Sequence, residues 1–107
     1  MIAARTPKVY LKPLIAALEG SESPRAQENA ALAIGRLGPA GSGAEKALMA
    51  VVGLSDVPLK CIAIRAVGDV AKPSAALVEM LQTCAISDER ESVEGAVRQA
   101  LRALKRR

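Results

Sequence analysis

The 107-residue chain contains no histidine, tryptophan or phenylalanine, and Tyr10 is its one aromatic residue. Each absence removes a class of chemistry. Without imidazole there is no neutral-pH histidine acid or base, no histidine metal ligand, and no Ser–His or Cys–His nucleophile pair. Without further rings there is no platform on which nucleobases could stack. Two cysteines, Cys61 and Cys84, are too few for a disulfide scaffold. Both fall inside apolar helical patterns, where a thiol acts as a small hydrophobe, so both are expected to be buried and reduced. No metal set and no cofactor is expected. The first residues lack the apolar run of a signal peptide. No uncharged stretch approaches the ~20 residues of a membrane span. A reducing cytoplasm is the expected location.

What the chain does have is small and aliphatic: half of it is apolar, and 21 residues are alanine. Fifteen basic residues against eleven acidic ones give a net charge of +4. The excess is local. Arg98, Arg102, Lys105, Arg106 and Arg107 lie at the end of the chain, and without them the balance is ten positive against eleven negative. A near-neutral body with one basic end gives no uniform field for nucleic acid or membrane.

The hydrophobic period is helical throughout, and no segment shows the alternation of a half-buried strand. The punctuation predicts six helices in one domain, residues 1–107, at about 7–19, 24–37, 43–54, 57–71, 74–85 and 89–106. Thr6 and Ser23 are expected N-caps, with Pro7 and Pro24 in the first turns. Pro13 is expected to kink the first helix or delay its start. Asp88 and Glu91 have capping-box spacing. Gly38-Pro39-Ala40-Gly41-Ser42-Gly43 lacks both a following Lys-Ser/Thr and a preceding strand, so it reads as a loop and not a phosphate cradle.

Aligning the even helices exposes a repeat. Arg25 to Gly38 matches Pro58 to Ala71 at an offset of 33, and Ser92 to Lys105 at a further 34. Ala30, Ala63 and Val97 coincide, as do Ala33, Ala66 and Ala100; Ile34, Val67 and Leu101; and Leu37, Val70 and Leu104. Gly35 matches Gly68, and the third copy has Arg102 there. Ala30, Ala33, Ala63, Ala66, Ala96 and Ala100 are expected on buried faces that let helices approach closely. The repeated glycine suggests a contact too tight for a methyl group, since each costs about 1 kcal/mol relative to Ala within a helix.

At these residues the chain resembles the short bacterial HEAT-like repeats, also described as phycobilisome-lyase-type. Their AAxALGxIG pattern reads here as Ala30-Ala31-Leu32-Ala33-Ile34-Gly35-Arg36-Leu37-Gly38, and more loosely as Ala63 to Ala71 and Val97 to Lys105. The family's usual Val-Arg pair is replaced by Ala26-Gln27, Leu59-Lys60 and Val93-Glu94. The resemblance implies an all-α solenoid of three two-helix units, right-handed in its superhelix, with the odd helices lining the concave surface. It also implies a non-enzymatic protein-binding scaffold, since such repeats serve many partners. The family's iron enzymes need His and Glu, and its DNA glycosylases need aromatics, so the composition excludes both chemistries. An accessory role beside a cofactor-attaching lyase is a further implication of the resemblance alone.

The expected protein-binding face is the outside of the odd helices: Tyr10 and Lys12, then Lys46 and Met49, then Glu79 and Gln82. Tyr10 has the build of an interface anchor. The basic patch Arg98, Arg102, Lys105, Arg106 and Arg107 suits a nucleic-acid phosphate or acidic partner. It equally suits the negative end of a helix dipole, and nucleic acid is disfavoured. Acids such as Asp88, Glu89 and Glu91 suit a helix start better than catalysis.

Solenoid ends need a polar face or a cover. The last helix is richly charged. The first carries Val9, Leu11, Leu14, Ile15 and Leu18 on more than one face. This end is expected to be covered by residues 1–6, a partner or, preferentially, a second copy. Light scattering at high micromolar concentration is then expected to give more than one chain's mass, and a strict monomer would set the self-association aside.

Overall fold

Short polar residues and prolines set most helix limits. The computed structural model describes residues 8–20, 23–54, 57–87 and 91–106. Helix α1, Lys8–Gly20, continues through Pro13. Helix α2, Pro24–Arg36, is capped by Ser23, whose Oγ accepts the Ala26 amide at 3.3 Å. It stops at Gly38, whose φ of 60° lies in the left-handed region that a residue without a Cβ enters freely. The fifth helix, α5, Ala75–Ser87, has a cap that its composition hides: Ser74 Oγ accepts the Leu77 amide at 3.1 Å, and the Ser74 carbonyl accepts that of Val78. The expected caps Thr6 and Asp88, together with Pro7, lie outside the described residues.

The Gly-Pro-Ala-Gly-Ser-Gly segment is not an irregular loop. Gly38–Ala44 forms a 3-10 helix, so α3 begins at Glu45 and spans Glu45–Leu54. The reason is packing. Gly41 is buried, and a Cβ there would stand 3.0 Å from both the Ile34 carbonyl oxygen and Val70 Cγ1. Small residues allow this tighter coil to seat itself against α1, α2, α3 and the next helix, α4, Val57–Val70. Helix α4 ends ahead of Lys72, which precedes Pro73 and is therefore disfavoured in helical conformation. The last helix, α6, Glu91–Lys105, has Glu91 and Glu94 in its first turn and Arg102 and Lys105 in its last, the charge order its dipole favours.

The even helices form a continuous layer: α2 packs on α4 and α4 on α6. Each odd helix packs on the even helix that follows it, giving the pairs α1/α2, α3/α4 and α5/α6. With extents of 44 × 33 × 18 Å, the shortest dimension is that of two helix layers. The architecture is all-α and solenoid-like, with no strand among the described residues. Between α1 and α2, the Gln27 side-chain amide donates to the Leu18 carbonyl at 3.0 Å, satisfying a carbonyl at the end of α1.

The middle pair is buried on nearly every side. Ile64, Val67, Val70 and Ala71 are fully enclosed, and among the residues of α4 whose side chains are described only Pro58, Arg65 and Asp69 are exposed. The expected alanines are enclosed with one exception. Ala33 is half-buried, and Ala31 beside it is enclosed instead. Cys61 is buried as expected, but Cys84 is only half-buried; both are free thiols. In α1, Leu18 is enclosed while Leu11, Leu14 and Ile15 are half-buried against the core. These four follow one helical stripe, so the described apolar residues of α1 do not spread over several faces. The side chain of Val9 is outside the described set.

The repeated glycines have direct but unequal reasons. A Cβ on Gly68 would stand 2.5 Å from Ala100 Cα and 2.9 Å from its carbonyl oxygen, so α4 and α6 meet backbone to backbone. At Gly35 the same atom would stand 3.4 Å from Asp69 Oδ2 and 3.5 Å from Ala66, an ordinary contact. The expectation of a forbidden methyl therefore holds at Gly68 and not at Gly35. We expect Gly68→Ala to destabilise the fold by about 1–2 kcal/mol, overpacking outweighing the gain in helix propensity. Gly35→Ala should be neutral or stabilising by up to about 1 kcal/mol. Urea denaturation of the two variants checks this; equal effects would refute the close approach.

Candidate functional site

The repeat register states which way each side chain of an even helix faces. The position of Ala33, Ala66 and Ala100 looks back toward the preceding even helix: Ala66 meets Gly35, and Ala100 meets Gly68. The glycine position looks forward. This explains both exceptions at the ends. Ala33 has no even helix before it and is half-buried, and Arg102 has none after it and is exposed.

Carrying the register along α6 locates an open surface. Ile64 and Gly68 in α4 and Ala71 just after it, all buried, correspond to Arg98, Arg102 and Lys105 in α6, all exposed. Val67, fully enclosed, corresponds to Leu101, half-buried. The side of α6 that would receive another pair thus keeps aliphatic residues but carries cations where the interior has small or apolar ones.

That side and α5 enclose a groove in two adjoining parts. One, of about 870 Å³, runs from Ser74, Val78 and Glu79 across to Leu101, Leu104 and Lys105. The other, of about 410 Å³, runs from Ala85 and Ile86 across to Glu94, Val97 and Arg98. Gln82 and Leu101 belong to both, so the depression is continuous. Its floor is aliphatic, and Ile86 at one end is 81% exposed. Its rim is polar. Arg98 donates to Glu94 at 2.7 Å, an exposed i,i+4 pair contributing about 0.3–0.5 kcal/mol.

The residues expected on the outer odd-helix face do not share one site. Lys12, Lys46, Glu79 and Gln82 are exposed. Met49 is half-buried and packed against the core, which withdraws it from the surface. The Tyr10 side chain lies outside the described residues. Glu79 and Gln82 are brought together with α6 in the groove, whereas Lys12 and Lys46 belong to α1 and α3. The basic cluster divides as well. Arg98 and Lys105 line the groove, while Arg102 and Arg106 line a smaller hollow with Asp69 and Gln99 on the α4 side. Asp69 also borders a hollow containing Arg36 and Arg65. An acid therefore lies among the arginines of the even-helix face. Arg107 is outside the described residues.

Reading residues for an odd-helix face missed the α5/α6 groove. Its signal was present in the third repeat, where Arg98 and Lys105 join Arg102 in replacing interior residues. Among the described residues no group of three or more His, Cys, Asp or Glu could hold a metal. No described helix is long and apolar enough to cross a membrane.

Helix pairs stacked in register define an α-helical repeat protein. The family model for HEAT repeats matches residues 11–105, and the chain belongs to the HEAT-repeat family. Repeats of this family generally mediate protein–protein interaction and typically form a non-catalytic scaffold. No curated protein and no solved structure matches the chain.

Because Ser74 caps the helix that forms one wall of the groove, Ser74→Ala should cost about 1 kcal/mol. The loss should be local. Amide exchange is expected to accelerate in α5 more than in α4; uniform acceleration would show that the cap does not act on that wall alone.

Proposed function

We propose that this protein is a non-enzymatic scaffold that binds another protein through its helix faces, with the α5/α6 groove as the main recognition surface. The observation that carries this reading is the groove itself: an aliphatic floor bounded by polar side chains, on the side of the stack where the internal repeat would seat another helix pair. Partner sites have this anatomy, apolar within and polar at the margin. Family membership supports the same class of function.

Binding through the basic end to nucleic acid finds less support. Glu94 is paired with Arg98, and Asp69 lies among Arg36, Arg65, Arg102 and Arg106, so the positive field is interrupted by acids. Non-specific phosphate binding needs an uninterrupted run of cations.

Photo-crosslinking in the native cell tests the reading. A crosslinker at Gln82 is expected to trap one defined protein that stays bound at high salt, and a crosslinker at Ala50 in α3 should trap less of it. Recovery of nucleic acid from both positions, with no defined protein, would overturn the scaffold assignment.

A further inference from the structure

We infer that the hollow between α2 and α4 seats one aromatic side chain of a partner protein, its ring lying against Leu32 and Ile62 and beneath the guanidinium groups of Arg36 and Arg65. This is a second contact, apart from the α5/α6 groove. It rests on the scaffold reading only for the occupant being a protein.

The hollow is made by two adjoining even helices. Gly35 and Ala66 bring α2 and α4 together, and the side chains around that contact leave a depression of about 200 Å³. A cavity of about 150 Å³ admits benzene, so the space takes one ring and not a helix. Its lining is mostly aliphatic: Ala31 and Ala66 are buried, Ile62 is half-buried, and Leu32 is 46% exposed. Leu32 and Arg65 are equivalent positions of the repeat, as are Arg36 and Asp69, and all four are exposed. They face away from the helix layer, so α2 and α4 alone set the opening.

Charge selects the ring. Arg36 and Arg65 both line the hollow, and among the described residues neither takes part in an ion pair. Asp69 stands at the same hollow. A carboxylate entering here would meet Asp69, and an ammonium group would meet two arginines. An aliphatic side chain would cover the floor but offer the guanidinium groups nothing. An aromatic ring matches every part of the lining. Its faces are negative and attract guanidinium, its edge is positive and suits a carboxylate, and its carbons cover Leu32 and Ile62. Tyr10 is the chain's one aromatic residue, so a second copy is a poor source of rings.

Gly35 keeps the hollow open. The Cβ that alanine would add stands 3.4 Å from Asp69 Oδ2 and 3.5 Å from Ala66 Cβ, and both residues belong to the lining. Packing alone tolerates that methyl group. Room for an occupant gives the glycine a reason that packing does not.

Short blocked peptides with one variable residue, added to the full chain, provide the test. The variable residue is phenylalanine, cyclohexylalanine (similar in size, without the π-system), glutamate or lysine. Methyl NMR reads the site, because a ring seated there moves the Leu32 and Ile62 methyl signals upfield. The phenylalanine peptide is expected to bind about fivefold more tightly than the cyclohexylalanine peptide, and both charged peptides more weakly than either. Joint substitution Arg36→Gln, Arg65→Gln should remove the aromatic preference. Both positions are exposed, and circular dichroism establishes that the variant is folded. Gly35→Ala, which the fold accepts, should weaken the phenylalanine peptide about threefold.

Equal binding of the phenylalanine and cyclohexylalanine peptides would overturn the inference, as would a preference that survives loss of both arginines. Undiminished binding to the Gly35→Ala protein would place the ring elsewhere and overturn it too. Tighter binding of the glutamate peptide, or of an oligonucleotide acting on the same methyl groups, would replace the ring by an anion. Self-association abolished by Tyr10→Ala, with the Leu32 and Ile62 signals moving as it is lost, would make a second copy the occupant. If no peptide moves those signals while a protein is trapped at Gln82, the hollow assignment fails and the scaffold reading stands. If the aromatic preference holds but no protein is trapped at any helix face, the ring seat stands and the scaffold reading fails.

Discussion

The stack depends on how closely α4 and α6 approach. At Gly68 there is no room for even one carbon between the two helices, because the space is filled by the backbone of Ala100. Contact of this kind is possible only where both partners are glycine or alanine, which is why a chain with 21 alanines and one aromatic residue can build a well-filled interior. Larger side chains fill the rest of the core, where Leu18, Leu48, Ile64 and Leu81 are fully enclosed. The composition that rules out most catalysis thus also permits this packing.

In α6 the sequence departs from its own pattern. On the forward side, cations stand at three positions that are buried in the preceding even helix. A charged residue cannot be enclosed by a further helix pair without losing its hydration, a cost that opposes continued stacking. Leu101, Val78 and Ile86 nevertheless leave aliphatic surface beneath those charges.

The chain begins the stack differently. Helix α1 has no even helix before it, and its described aliphatic residues turn toward α2, α3 and the 3-10 helix. Gln27 joins it to α2 through the Leu18 carbonyl, a bond that needs no charge. Helices α1 and α6 therefore differ: one turns its aliphatic residues inward, and the other faces charge outward.

Periodicity, caps and the 33- to 34-residue echo were enough to read off the helices, their pairing and the alanine-lined interior, because those features depend on neighbours in the chain or on a pattern that repeats along it. The tight contact at Gly68 was legible for the same reason. Other features required the fold. Gly41 makes its segment a 3-10 coil because Ile34 and Val70 surround it, and these are residues that no local window brings together. Met49 leaves the surface and Ala33 is only half-enclosed because burial depends on whether a neighbouring helix exists on that side. The groove is the clearest case: Val78 and Gln82 face Leu101 across a space made by two helices, and spacing along one helix contains no information about that distance. Sequence order dictated which residues are equivalent; only three-dimensional adjacency decided which of those equivalents is left uncovered, since solvent exposure is a property of neighbours in space.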